Sequence, residues 1–264
     1  MSSNINLQTD ARGVATLTLD RAEKHNAFDD SMIADLLRAL DDIENDNSIR
    51  VLALRAAGQS FSAGADLDWM RRMADYDHQQ NLADARQIAH LMYRLNRFGR
   101  PVIARVQGAS FGGGVGLIAC CDIAIAASDA IFSLSEVRLG LIPSVISPYV
   151  IEAIGARAAR RYFLSGERFD AARALQLGLV HEVVEAEALD ASLERCIDAL
   201  LGCGPKAQVA AKDLIQYVAG RAIDESMIEE TAGRIAEIRT SEEGREGLNA
   251  FLQKRKPNWS GEPD

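Results

Sequence analysis

Three consecutive glycines, Gly112-Gly113-Gly114, stand where one kind of structure hands over to another. Upstream, Pro101-Val102-Ile103-Ala104-Arg105-Val106 is apolar and β-branched enough for a buried strand. Downstream, Val115 to Cys121 is interrupted only by Gly116 and predicts an apolar helix. Glycine adopts positive φ freely and lacks the Cβ that would hold a ligand away. The first turn of a helix also carries N–H groups with no internal acceptor. Strand, glycine turn and helix start together suit an anion or oxyanion site. They equally suit a buried helix that packs tightly against backbone. No Gly-Lys-Ser/Thr follows, so the run is not a P-loop, and it does not match Gly-x-Gly-x-x-Gly.

The same handover recurs along the chain. Ile5 to Thr9 and Val14 to Leu19 alternate apolar and polar residues around Arg12-Gly13 and predict a β-hairpin. Arg21 to Phe28 is a polar loop. Asp29 or Asp30 then caps a helix with Met32, Ile33, Leu36, Leu37 and Leu40 on one face. Val51 to Leu54 is a short buried strand, and the small residues Ser62-Ala63-Gly64-Ala65-Asp66 lead into a second helix start. Asp66 fits there as a helix cap. Tyr76 to Phe98 is a long helical run stopped by Gly99-Arg100-Pro101. Asp122 to Ala126 and Ile131 to Ser133 are further strands. Such alternation between residues 51 and 133 implies βαβ units and a mostly parallel sheet, whose strand ends are where ligands bind.

From Ser147 the pattern is helical, over 147–154, 157–164, 171–177, 186–201, 205–219, 223–237 and 241–254, with 179–184 extended. Gly202-Cys203-Gly204-Pro205 is a break. It divides an α/β core, residues 1–200, from a C-terminal helical region, residues 201–264.

With 48% hydrophobic and 25% charged residues the chain has ample material for a core. Its net charge of −9 argues against non-specific nucleic-acid binding, which needs a basic footprint. No apolar stretch is long enough for a bilayer, and the N-terminus reads as neither a secretory signal nor a transit segment, so a cytoplasmic protein without membrane contact is expected. Cys120, Cys121, Cys196 and Cys203 lack Cys-x-x-Cys spacing and form no ligand pattern with His25, His78, His90 or His181, so no metal is expected.

The handovers at 62–66 and 112–116 gain meaning as a pair. Each can aim one backbone N–H at a common point, and two such donors in a dry site stabilise an oxyanion far better than water does. Phe61-Ser62-Ala63-Gly64-Ala65-Asp66-Leu67, the Gly108-x-x-x-Gly-Gly-Gly run, Cys121-Asp122-Ile123-Ala124 and Ser135-Glu136-Val137-Arg138-Leu139-Gly140-Leu141-Ile142-Pro143 occur in that order. In this respect the chain resembles the crotonase (enoyl-CoA hydratase/isomerase) superfamily, over effectively its whole length. The resemblance implies an α/β fold, a spiral of repeated ββα units with a C-terminal helical domain, assembled as a homotrimer or a homohexamer built as a dimer of trimers.

It also implies site residues. Ala65 and Gly113 would supply the oxyanion-hole amides for the thioester carbonyl of an acyl-CoA. Ala63, Asp66, Leu67 and Asp68 would line the CoA-binding segment, with the adenine near Ala63. Lys24 lies where the family contacts the CoA phosphates, and Phe251 and Lys254 lie in the helix that covers CoA. CoA is part of the substrate, and no separate cofactor is implied. Family hydratases carry two glutamates. The later one is present as Glu136, whereas the earlier position is Gly116 and nothing in Leu117 to Cys121 replaces it. A lone carboxyl needs its pKa raised, by apolar neighbours such as Leu134, Val137 and Ile142, to hold a useful proton near neutrality.

A single glutamate serves either a hydratase or a Δ3–Δ2 enoyl-CoA isomerase. Finer likeness favours the hydratase. Lys24-His25-Asn26-Ala27-Phe28, Ala65-Asp66-Leu67-Asp68-Trp69-Met70, Asn81-Leu82-Ala83-Asp84-Ala85-Arg86 and Leu141-Ile142-Pro143-Ser144-Val145-Ile146 are similar to bacterial 3-methylglutaconyl-CoA and isohexenylglutaconyl-CoA hydratases, of leucine and acyclic terpene catabolism. Val145-Ile146 replaces the small residues usual after the Ile-Pro turn and would reshape the acyl pocket. A substrate with a distal carboxylate wants a cation, for which Arg138 and Arg72 are candidates.

Overall fold

The computed structural model describes residues 4–260. The hairpin forms as the alternation predicts. Strand β1 (Ile5–Thr9) runs antiparallel to β2 (Val14–Leu19), with Leu7 opposite Leu17. Helix α1 (Asp30–Asn45) is capped by Asp29, which accepts from the Met32 N–H. Then come β3 (Val51–Ala56), α2 (Leu67–Ala74), α3 (His78–Asn96), β4 (Val102–Val106), β5 (Ala109–Phe111), α4 (Gly113–Cys120), β6 (Ile123–Ala127) and β7 (Ile131–Ser133). Beyond them lie α5 (Ser147–Ser165), β8 (Arg168–Asp170), α6 (Ala171–Leu177), β9 (Glu182–Val184), α7 (Leu189–Leu201), α8 (Pro205–Val218), α9 (Glu225–Thr240) and α10 (Glu242–Leu252).

The large sheet has the order β1-β2-β3-β4-β6-β9 and is parallel apart from β1. A second, smaller sheet has the order β5-β7-β8. Ser62 adds a single parallel bridge to it at Ser110, and Ala65 bridges in turn to Phe28. Three successive passes therefore share one plan. A strand joins the large sheet (β3, β4, β6), a short extended piece joins the small one (Ser62, β5, β7), and a helix follows. This is the ββα spiral of the crotonase fold. The three-residue strands β5 and β8 are not legible in the sequence, where Ala109-Ser110-Phe111 and Arg168-Phe169-Asp170 show no run of apolar or β-branched residues.

Both faces of the central strands β3, β4 and β6 are covered, so those strands are largely apolar. Leu52, Leu54, Ala104 and Ala124 face the main core with Met32, Leu36, Leu91 and Ile118. Val51, Ala53, Ile103 and Ile125 face the opposite way, onto Leu189, Leu193 and Ile197 of α7. Helix boundaries differ from expectation by a few residues where caps decide them. α3 starts at His78 rather than Tyr76 because Asp77 and Gln80 form a capping box, and α9 starts after Asp224, whose side chain accepts from Met227 N–H. The two helices expected over 147–164 are one element broken at Gly155, whose φ of +74° interrupts the helix. Among the described residues no helix is long and apolar enough to cross a membrane.

Candidate active site

Two glycine-containing turns meet backbone to backbone. Ser62 N–H donates to Ala109 C=O at 3.1 Å, and Phe111 N–H donates to Ser62 C=O at 2.9 Å. One residue holds both turns in register. Phe28 N–H donates to Gly64 C=O and Phe28 C=O accepts from Asp66 N–H, each at 2.7 Å. That pairing brackets Ala65 and leaves its N–H facing away from Phe28. The Phe28 ring meanwhile lies against Gly113, where an added Cβ would come within 3.1 Å of the ring. Phe28 was legible only as the end of a polar loop, and its organising role comes from contacts 36 and 85 residues distant.

Gly113 opens α4, so its N–H lies in the first turn, which has no intrahelical acceptor. Among the described residues neither this N–H nor that of Ala65 donates to a protein acceptor. Gly112, just before, has φ +49° and ψ −114°, a conformation that requires glycine. Its N–H is held by Ser133 C=O at 2.9 Å.

Glu136 closes the other side. It begins a short 3₁₀ turn, Glu136–Leu139, which ends at Gly140 with φ +73°. Its Oε1 lies 2.9 Å from where a Cβ on Gly112 would be, so the carboxyl touches the residue beside the Gly113 N–H. Oε2 is buried without a hydrogen-bond partner in the protein. Burial pushes the Glu136 carboxyl above the ordinary glutamate range. The apolar shell is not the expected one. Leu134 is fully buried, but Ile142 is 72% exposed and turns outward.

Gly116, the vacant acid position, lies one turn along α4 from Gly113. A Cβ there would overlap Ile146 Cγ2 and come within 2.9 Å of Ile146 Cβ and 3.4 Å of Met92 Cε. Ile146 is itself 2% exposed.

A charged cluster flanks the Ala65 side. Asp66 is buried and caps α2, accepting from the N–H groups of Asp68 and Trp69. It also pairs with Arg21 at 3.2 Å and with Lys24 at 2.9 Å. Burial opposes ionisation of Asp66, but the Lys24 ammonium and the two N–H donors outweigh it and hold the carboxyl below its usual range. Lys24 reaches Asp68 as well, at 3.1 Å. Arg21, which the sequence did not single out, bridges Asp29 and Asp66 and so ties the first turn of α1 to that of α2. Leu67 is exposed beside this cluster, and Ala63 N–H donates to His25 C=O.

The remaining candidates stand apart. Phe251 is exposed near the end of α10, and no hydrogen bond or ion pair among the described residues joins it or Lys254 to the Lys24 cluster. Arg72 pairs with Asp30 at 2.6 Å, and the Arg138 stem lies over Gly166. Among the described residues no group of His, Cys, Asp and Glu side chains has metal-binding geometry.

The family model described as enoyl-CoA hydratase/isomerase matches residues 9–262. An enoyl-CoA hydratase from Shewanella pealeana is 50% identical, with a TM-score of 0.94 over 97% of this chain and 96% of that one. The 2,3-dehydroadipyl-CoA hydratase of Escherichia coli is 32% identical over 94% of this chain and 95% of its own length. The 1,2-epoxyphenylacetyl-CoA isomerase of Escherichia coli is 33% identical over 95% of this chain and 96% of its own length. The chain thus belongs to the enoyl-CoA hydratase/isomerase family and is an enzyme built on the crotonase fold.

Proposed function

We propose that this enzyme adds water across the double bond of a branched glutaconyl-type CoA thioester, 3-methylglutaconyl-CoA or its isohexenyl-extended analogue. The observation that carries the reading is the Glu136 carboxyl lying against Gly112, with Oε2 buried and without a hydrogen-bond partner. The thioester oxygen accepts from the N–H groups of Ala65 and Gly113. As the β-carbon takes up hydroxide from water, Glu136 accepts the released proton. The π electrons pass to the thioester as an enolate, which the two N–H groups stabilise. Glu136 then returns the proton to the α-carbon on the same face. One O–H and one π bond are broken, one C–O and one C–H bond form, and the carboxylate is regenerated. A pKa raised by burial suits a group that must both take and give this proton.

Lys24, Ala63, Leu67 and Asp68 are assigned to the CoA moiety. Lys24 is partly exposed and held by Asp66 and by the surface residue Asp68, so a CoA phosphate reaches the ammonium by taking the place of Asp68. Asp66 acts from within, by fixing Lys24 and the start of α2. Phe251 and Lys254 are assigned to covering CoA, in the region 201–264. Exposed apolar side chains there, Ile215, Ile223, Phe251 and Leu252 among them, support assembly as a trimer or dimer of trimers. Four unpaired cysteines accord with a reducing cytoplasm. A distal substrate carboxylate accords with a relative named for a dehydroadipyl thioester, itself a dicarboxylic acyl group.

The lone acid also favours a second reading, a Δ3–Δ2 isomerase in which Glu136 moves one proton between carbons. Turnover of 2-enoyl and 3-enoyl thioesters in isotopically labelled water separates the two. For both, Glu136→Gln is expected to lower kcat by at least about 10³-fold while CoA-ester binding persists. Near wild-type turnover by that variant would remove Glu136 from the chemistry.

A further inference from the structure

The vacant acid position is not vacant space. Position 116 lies on the face of α4 that meets the start of α5, and Ile146 fills the volume a side chain there would need. The two residues are thirty apart in sequence, yet their packing is mutually exclusive. Any side chain at 116 must displace Ile146 Cγ2, and Ile146 cannot move freely, because it is buried in the main core with Met92, Val150 and Leu91.

We propose that Ile146 is the specificity-determining residue that confines this site to a single acid. Its side chain closes the Gly116 side of the glycine-rich turn with hydrocarbon, and Met92 Cε extends that wall. Glu136 touches the turn on its Gly112 side. Two consequences follow for the reaction, both resting on the assignment of Glu136 as acid and base. Proton removal and delivery occur on the Glu136 side. The acyl group meets an apolar wall on the other side, which suits a hydrocarbon branch and excludes a desolvated carboxylate.

The test is a packing cycle read first without activity. Gly116→Ala, Ile146→Ala and the pair are compared by thermal unfolding of the full-length protein. Each single variant is expected to lower Tm by roughly 5–10 °C, one by overlap and one by a cavity. The pair is expected to be no less stable than Ile146→Ala alone, because the new methyl group takes part of the space released. Additive losses in the pair would show that the two side chains do not compete, and would overturn the proposal. A second arm then uses Gly116→Glu with Ile146→Gly in the Glu136→Gln background. Recovery of at least about tenfold over Glu136→Gln alone, with a new carboxylate limb in the pH–rate profile, is the expected result. A folded triple variant that recovers nothing would overturn the claim that Ile146 is what excludes a second acid. Failure of the Glu136 assignment would appear separately, as activity in Glu136→Gln with the packing cycle intact.

Discussion

Gly112→Ala tests whether the glycine turn sets the position of the acid. At φ +49° and ψ −114° an L side chain is strained by about 1–3 kcal/mol. The added Cβ would also lie 2.9 Å from Glu136 Oε1. Ordinary carbon contacts begin near 3.4 Å, so the carboxyl must retreat by about half an ångström. Catalytic groups must be held within about 0.5 Å of their productive position, and a displacement of 1 Å costs on the order of 10²-fold. The expected outcome is a roughly 10- to 100-fold fall in kcat/KM, about 1.4–2.8 kcal/mol. Tm should fall by roughly 2–12 °C from the strain alone. The pH profile separates displacement from general damage. Glu136 must be ionised to take a proton from water, so activity falls as pH drops through its raised pKa. A carboxyl driven toward solvent loses part of the desolvation that raises this pKa. The acid limb of kcat/KM should therefore shift to lower pH in Gly112→Ala. The assay follows loss of the enoyl-thioester absorbance across pH, with Tm measured in parallel. A variant within about twofold of wild type in kcat/KM, with its acid limb unmoved, would refute the reasoning.

Further outcomes concern the charged cluster. Asp66→Asn leaves Asp29 as the carboxylate partner of Arg21 and removes one of the two charges beside Lys24, so a loss of about 2–4 kcal/mol at neutral pH is expected by urea unfolding. Because the folded-state pKa of Asp66 is lowered, its stabilisation is fully present above about pH 4 and disappears as pH falls through the lowered value. The variant should accordingly show a shallower fall in stability on acidification. Lys24→Met should raise KM for CoA thioesters several-fold with kcat within about a factor of two, as expected for loss of uniform binding. An unchanged KM would remove Lys24 from the CoA site.

Local chemistry made much of the scaffold legible before any contact was known. The hairpin bounds at Ile5–Thr9 and Val14–Leu19, a helix cap at Asp29 or Asp30 and the strand-to-helix glycine turn all depend on residues a few positions apart. Periodicity and capping are set by such short-range terms. The ordered motifs likewise pointed to the family. Tertiary structure decided the rest. It made Phe28 the clamp on both glycine turns, set the Glu136 carboxyl against Gly112 while leaving Ile142 exposed, and filled the Gly116 face with Ile146. Desolvation and space-filling belong to the packed interior, where atoms distant in sequence compete for the same volume. No local pattern encodes which of them occupies it.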